Sequence, residues 1–421
     1  MLVYKFGGAS IRDAERFRNA VRIINETTAK KRVIVVSALG KTTNALEAVV
    51  DAFMQNQTEA SIEKYEQIKL LHISLAKELL SHQQHQAMEQ LHTLFTEVEW
   101  LLHDKPVRSY DYYYDQIVSS GELLSSTILH FLLLESYANA VWSDVRDWLR
   151  TDNQFRNAGI DWTYSKKQIQ GNVPALFEKN DILVTQGFIG CTDENESTTL
   201  GREGSDYTAA IFANMLDAES VTIWKDVDAV MNADPKLYPN AKPIPHLSFH
   251  EVIEMAYYGA QVIHPKTIKP IQNKSIPLLV KSFLDPTLPG TIINHLPAQG
   301  LPPIYINKPN QVLMRFDSRD FSFIEDQTIR DLHEWFSKFN INPNLSQKTA
   351  ISLLCSFDDR EEKIHALASK AAQKFDVSME KHLELITIRH YKNEDLENIV
   401  KGKSILLQQQ TPDTIQILMR H

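Results

Sequence analysis

Leu2-Val-Tyr-Lys-Phe-Gly-Gly-Ala-Ser10 is the stretch from which the fold is read. A β-rich run of five residues meets two adjacent glycines and a serine, and a helical pattern follows over residues 13–28. A strand that ends in a glycine turn and feeds a helix is the opening unit of an α/β sheet. The same alternation recurs outward from it. Residues 32–38, 140–145, 181–188, 220–224 and 276–283 read as further strands, with helical stretches between them. Such runs predict a mainly parallel sheet covered by helices on both faces. Residues 61–100, rich in Glu, Gln, His and Leu, predict a pair of helices. Residues 120–137 turn apolar and predict a buried core helix.

The character changes after Pro297-Ala-Gln-Gly-Leu-Pro-Pro303. This stretch reads as a linker, so the expected organisation is a first domain over 1–296, a linker over 297–303 and a second region over 304–421. In that region residues 304–316, 350–357, 383–391, 404–409 and 414–419 are strand-like. Residues 326–339, 361–375 and 394–401 are helical. The order predicts two small α+β modules of about 60 residues each.

The chain has 421 residues, 43% of them hydrophobic and 23% charged, which is the composition of a packed protein. Its net charge of −9 argues against a nucleic-acid partner, because phosphate backbones attract basic surfaces. No run of 18 apolar residues is present, so no membrane span is expected. No basic segment leads into an apolar one at the start, so no signal peptide is expected. Two cysteines far apart in sequence, Cys191 and Cys355, fit free thiols in a reducing cytoplasm. Only 14 residues are glycine, and 13 of them fall in the first 300, so each one carries information.

Five segments have the makings of chemistry. Lys5-Phe-Gly-Gly-Ala-Ser10 offers glycines that admit a ligand to the backbone, a cation, and a serine placed to cap the next helix. Gly40-Lys-Thr ends like a phosphate-binding P-loop, but that motif needs a glycine at 35, where Val stands. What remains around Ser37–Asn44 is a hydroxyl-rich loop at a strand end, the usual ligand position in an open sheet. Glu122 follows Gly121 at a helix start. It is either a first-turn glutamate favouring the helix dipole or a carboxylate for a substrate ammonium. Thr198-Thr-Leu-Gly-Arg-Glu-Gly-Ser-Asp-Tyr207 packs glycines, hydroxyls, Arg202 and Asp206 just before a helix, the composition of an anion site. The last, Trp224-Lys-Asp-Val-Asp-Ala-Val-Met-Asn-Ala-Asp-Pro235, is either a solvated turn or the edge of a nucleotide or metal site. His250-Glu-Val-Ile-Glu254 lacks the second histidine of a zinc-protease motif, and no G-x-G-x-x-G occurs. No metal ligands are assigned.

Together with Gly259-Ala-Gln-Val-Ile-His-Pro265, and Phe283-Leu-Asp-Pro286 followed by Gly290-Thr-Ile-Ile, these segments resemble the aspartate kinases of the amino acid kinase family. The C-terminal modules look like the paired ACT domains that follow the kinase domain there. The resemblance implies transfer of the ATP γ-phosphoryl group, with Mg²⁺, to the side-chain carboxylate of L-aspartate. The product would be 4-phospho-L-aspartate, the opening step toward lysine, threonine and methionine. By that resemblance Lys5 stabilises the transferring group and Asp206 orients Lys5. Gly7, Gly8 and Ser10 line the phosphate loop. Arg202 holds the α-carboxylate, Glu122 accepts the α-ammonium, and Ser37, Thr43 and Ser205 lie at the substrate. Lys225, Asp226, Met231, Lys236 and Gln261 fall at nucleotide positions. ACT pairs commonly build homodimers or higher oligomers, and that partnership is expected here.

Several positions depart from the family pattern. Ala9 stands for a usual Thr, Glu203 for a Gly, and Met231 and Gln261 for frequent Tyr and Lys. Residues 317–326 and those after Phe357 lack the glycine turns of effector-binding relatives, so feedback inhibition by lysine or threonine is not expected. No fused homoserine dehydrogenase is expected after the ACT pair. A protein that keeps the fold but only binds amino acids is the competing reading, and glutamate is the alternative acceptor within the enzyme class.

Overall fold

The computed structural model describes residues 1–27 and 31–420. The expected helix over 13–28 is seen as Ala14–Glu26, and residue 28 lies outside the described residues. The chain divides into two compact units. The first comprises Met1–Val230, Pro245–Ile253 and Val262–Pro297, and the second Met231–Ile244, Glu254–Gln261 and Ala298–His421. The division is therefore not a single cut, since two short segments before residue 262 group with the C-terminal residues.

In the first unit the strands are β1 (Leu2–Phe6), β2 (Arg32–Val36), β3 (Ala140–Trp142), β4 (Ile182–Gln186), β5 (Ile189–Cys191), β6 (Ser197–Thr199), β7 (Ser220–Lys225), β8 (His246–Ser248), β9 (Leu278–Ser282) and β10 (Thr291–Asn294). Eight of them form one sheet in the order β3-β4-β2-β1-β7-β9-β10-β8, while β5 and β6 pair separately. Strands β3, β4, β2, β1, β7 and β9 are parallel, and β10 runs antiparallel to β9. All residues of β2 and β4 are buried, the pattern of central strands covered on both faces. The sequence missed β5, β6, β8 and β10 as strands. Three or four residues are too few to show an alternation.

The helices are α1 (Ala14–Glu26), α2 (Thr42–Met54), α3 (Thr58–Leu79), α4 (Gln84–His103), α5 (Tyr110–Val118), α6 (Ser120–Glu135), α7 (Trp162–Lys179), α8 (Gly204–Met215), α9 (Phe249–Tyr258) and α10 (Pro265–Gln272). In α1, Phe17, Ala20, Val21 and Ile24 fall on one buried stripe at helical spacing. In α6 every residue from Ser120 to Leu133 is buried, as expected for a core helix. The run Tyr110–Glu135 is long and apolar enough to cross a membrane by length and composition alone, but 94% of its apolar window is buried within the protein.

The order of strands positions the site. Strand β1 lies between β2 and β7, with Phe6 level with Val36 on one side and Trp224 on the other. The chain therefore winds outward in both directions from β1. The crevice beyond the carboxyl ends at such a reversal is where open α/β sheets bind ligands.

The second unit continues with β11 (Ile304–Ser318), α11 (Asp326–Lys338), β12 (Leu345–Lys348), β13 (Ser352–Asp358), α12 (Glu361–Ala371), β14 (Phe375–Arg389), α13 (Asn393–Val400), β15 (Ser404–Gln410) and β16 (Thr414–Arg420). Its strands make one six-stranded sheet in the order β12-β13-β11-β14-β16-β15. The two modules thus share a sheet, with β11 and β14 antiparallel at its centre. Val312, Met314 and Phe316 of β11 pack with Leu332 and Phe336 of α11 and Ile364 and Leu367 of α12. Strand β14 begins eight residues earlier than residue 383. Its first half is largely exposed and polar, which concealed it from a hydrophobic reading.

Candidate active site

A cleft of about 530 Å³ opens beyond β1, β2 and β7, and every residue lining it belongs to the first unit. Of the residues expected at the site, it gathers Lys5, Gly8, Ser37, Thr43, Glu122, Arg202, Ser205, Asp206 and Lys225.

Two turns form its floor. Gly40 N donates to Gly8 O at 3.1 Å, which joins the loop after β1 to the loop after β2. A side chain at position 8 would place its Cβ 2.7 Å from Gly40 O, so this approach requires glycine. Ser10 does not cap the following helix. Its hydroxyl donates to Gly7 O at 2.7 Å inside a short 3₁₀ turn, and Asp13 caps α1 by accepting from Arg16 N. The cap needs a residue directly before the first helical one, and the extra turn places Asp13 there. Gly7 and Ser10 shape the loop and are not among the residues that line the cleft.

Lys5, the last but one residue of β1, reaches Asp206 in the first turn of α8, with Nζ 2.7 Å from Oδ1. Asp206 is almost wholly buried and Lys5 largely so, which places the pair where the dielectric is low. Helix α8 starts close against β4 because Gly187 has no side chain. A Cβ there would lie 2.4 Å from that of Ser205.

Glu122 sits in the first turn of α6 and is 3% exposed. Its Oε1 accepts from Ala38 N at 3.1 Å, while Oε2 is buried with no hydrogen-bond partner. Burial pushes the carboxyl up to about 8, against the opposing effects of the Ala38 amide and the positive charge of Lys5. An unsatisfied buried carboxylate oxygen is costly, and an incoming cation would satisfy it.

Glu203, which departs from the family's usual Gly, stands just ahead of α8. It occupies the N-cap position of α8 in the left-handed conformation, with φ of +53°, and its side chain makes no capping bond to that helix. Glu203 lines the cleft, and its carboxylate has a partner of its own there. Oε2 accepts from His264 N at 2.7 Å, directly ahead of α10, where the helix dipole favours negative charge. Glu203→Ala removes that bond and keeps the steric cost of the left-handed backbone, whereas Glu203→Gly removes the bond and that cost together. The glycine variant is expected to be the more stable of the two by about 1 kcal/mol. Chemical denaturation of both variants measures this, and an alanine variant at least as stable as the glycine variant would contradict it.

The cleft also holds residues that the sequence did not single out: Tyr114, Arg156 and Phe188 line it, and Thr199 and Gly204 join them from the fourth motif. Behind them Asp115, fully buried in α5, accepts from Thr199 N and Thr199 Oγ1, both at 2.7 Å, and from Arg156 N at 2.9 Å. No spacing rule marks Tyr114, Asp115 or Arg156. Their place depends on α5 packing beside β6.

On the side of β7, Lys225 Nζ donates to Val262 O at 2.6 Å. Asp226 is exposed and does not line the cleft. Met231, Lys236 and Gln261 belong to the second unit, and none of them lines the cleft. Lys236 N donates to Asp234 Oδ1 at 2.9 Å, so the aspartate-proline stretch forms a turn of its own. Among the described residues no group of three or more His, Cys, Asp or Glu is placed to hold a metal ion. Both cysteines are free and buried.

A parallel sheet with a charged, glycine-floored cleft at its point of reversal defines an anion-handling α/β protein. The chain belongs to the amino acid kinase family, whose model matches residues 1–282. It is 36% identical over 309 residues to Aspartokinase 2, chloroplastic, of Arabidopsis thaliana, covering 69% of this chain and 54% of that protein. It is 33% identical over 294 residues to Lysine-sensitive aspartokinase 3 of Escherichia coli (strain K12), covering 70% of this chain and 64% of that one. The chain thus spans only part of the curated relatives it matches, from 32% of a bifunctional maize protein to 64% of the bacterial one. The structure of E. coli aspartokinase III in complex with aspartate and ADP superposes with a TM-score of 0.84 at 26% identity. That match covers 100% of this chain and 96% of the other.

Proposed function

We propose that this chain is an aspartate kinase, transferring the γ-phosphoryl group of ATP to the side-chain carboxylate of L-aspartate to give 4-phospho-L-aspartate. The carrying observation is the meeting in one cleft of the Lys5–Asp206 pair, the two-glycine floor, and Glu122 with its unpartnered buried oxygen. The bacterial relative that superposes over the whole chain was crystallised with aspartate and ADP.

The chemistry follows from the charges. A substrate carboxylate, with a pKa near 3.9, is already ionised at neutral pH and needs no general base. The obstacle is bringing an anion to a polyanion, so positioning and positive charge carry the reaction. Lys5, held by Asp206, faces the transferring group. The Gly8 loop and the first-turn amides of α8 offer donors to phosphate oxygens. Lys225 serves the nucleotide side. Glu122 takes the substrate ammonium, Arg202 its α-carboxylate, and Thr43, Ser205 and Ser37 complete that end. The cleft carboxylates Glu122, Asp206 and Glu203 are engaged by the Ala38 amide, Lys5 and the His264 amide. Mg²⁺ therefore fits as an ion held chiefly by nucleotide oxygens and water, its usual mode, where it neutralises phosphate charge. On this reading the protein opens the route to lysine, threonine and methionine in the cytoplasm, and assembles into homodimers or larger through its C-terminal sheet.

Trapping the acyl phosphate as a hydroxamate, with Mg-ATP and aspartate, tests the reading. Arg202→Ala is expected to raise KM for aspartate by roughly tenfold to a hundredfold, the worth of a two-pronged charged contact, and to leave KM for ATP little changed. Absence of any hydroxamate with aspartate, or a clear preference for glutamate, would overturn the assignment.

A further inference from the structure

Arg156 lies outside all the motifs, yet its backbone is fixed and its side chain is directed to the cleft. It lines the cavity. Its backbone is left-handed, with φ of +66°, which is uncommon for a residue with a side chain and is held only by surrounding structure. Buried Asp115 supplies that hold by accepting Arg156 N, and the same carboxylate grips Thr199. Finally, the guanidinium lies over the Tyr114 ring, 4.3 Å from its centre, which fixes its direction.

Its neighbours show which end of the cleft it serves. Arg156 is 3.6 Å from Glu47, one helical turn beyond Thr43 on α2, and so covers the face that carries Thr43. Gly201, the residue before Arg202, packs directly on this loop. A Cβ there would lie 2.9 Å from Asn157 Oδ1 and 3.1 Å from Arg156 O. Ala158 N donates to Thr199 O at 2.9 Å, and Lys266 Nζ bridges Asn157 Oδ1 and Leu200 O at 2.9 and 3.0 Å. The loops bearing Arg156 and Arg202 are therefore bound to each other.

The guanidinium is not saturated. Its contacts to Glu47 and Asp111, at 3.6 and 3.4 Å, are longer than the 2.7–2.9 Å of a strong charge-assisted bond, and its side chain is 43% exposed. A planar donor fork held in direction but loosely paired is arranged to take a carboxylate.

We propose that Arg156 is a second carboxylate-binding residue at the amino-acid end of the cleft, acting beside Arg202 so that the site demands an amino acid with two carboxylates. This rests on the aspartate kinase reading.

The test uses the full chain with Arg156→Gln and Arg156→Gly, the second of which relaxes the left-handed backbone. Both are expected to raise KM for aspartate by roughly tenfold to a hundredfold, with KM for ATP within about twofold of the parent and no loss in melting temperature. Arg156→Lys, which keeps the charge but not the fork, falls between. An unchanged KM for aspartate overturns the proposal, as does a KM for ATP that rises in step with it. Calorimetric titration with L-aspartate separates this inference from the kinase reading. If the parent binds aspartate but transfers no phosphoryl group, the reaction assignment fails, and weaker binding by Arg156→Gln still supports the arginine. Equal binding by the two proteins, or none by the parent, overturns it.

Discussion

Lys5→Ala is expected to lower kcat by roughly a hundredfold to a thousandfold, the loss seen when one preorganised donor to a developing charge is removed, with both KM values within a few-fold of the parent. The effect comes from where the cation sits. Lys5 is carried by the central strand β1 and reaches into the cleft, so its position is set by the sheet. Asp206 anchors its ammonium at 2.7 Å from the first turn of a helix. Catalysis by positioning needs such a charge in place before the phosphoryl group moves. The variant also leaves Asp206 buried without its partner, which costs stability of its own, on the order of 3 kcal/mol. Lys5→Ala combined with Asp206→Asn removes that burden. The double variant is expected to regain much of the stability and none of the turnover. A single variant with kcat within tenfold of the parent would remove Lys5 from the mechanism.

The second large effect concerns Glu122. Glu122→Gln is expected to raise KM for aspartate by roughly a hundredfold and to leave KM for ATP nearly unchanged, because a charged contact of 2–3 kcal/mol is lost at the ammonium. Glutamine keeps the shape and can still accept from the Ala38 amide, so the fold is preserved. The pH dependence adds a sharper test. Burial raises the carboxyl to about 8, so in the empty cleft it is mostly protonated at neutral pH and ionises as the pH rises. Only the ionised form attracts the ammonium. KM for aspartate should therefore fall as pH rises from 6.5 to 8, by roughly tenfold, and level off above that. In Glu122→Gln the same profile should be flat. A parent KM that climbs over this range would reverse the sign and sink the argument.

Much of the sheet architecture of the first unit was legible because its strands carry their own signal. The run Leu2–Phe6 is wholly strand, and β2 and β4 are continuous buried stretches that no helix period fits. The charged members of the cleft were legible for a different reason. Lys5, Glu122, Arg202 and Asp206 each stand within two residues of a glycine that lets backbone come close. Arg156 and Asp115 have no such flag. Their roles come from α5 packing against β6, a contact between residues 84 apart, and from a left-handed turn formed without glycine. Ser10 shows the opposite error. It had the right chemistry for a cap, but the short turn after Gly7 moves the helix start beyond it. Glu203 lines the cleft from within a motif, but its hydrogen bond to the His264 amide, 61 residues away, leaves no mark in the sequence.

The shared sheet of the C-terminal region bears on how the protein can be taken apart. Its central pair, β11 and β14, comes from the start of one module and the middle of the region, and the strands that flank the pair are contributed from both sides. A fragment ending near residue 358 would keep β11 but strip away β14, leaving a fifteen-residue strand with one bare edge. Long uncovered edges recruit other chains. Shortened versions of this protein should therefore stop before β11 or run through β16, since an intermediate end point invites strand exchange and precipitation.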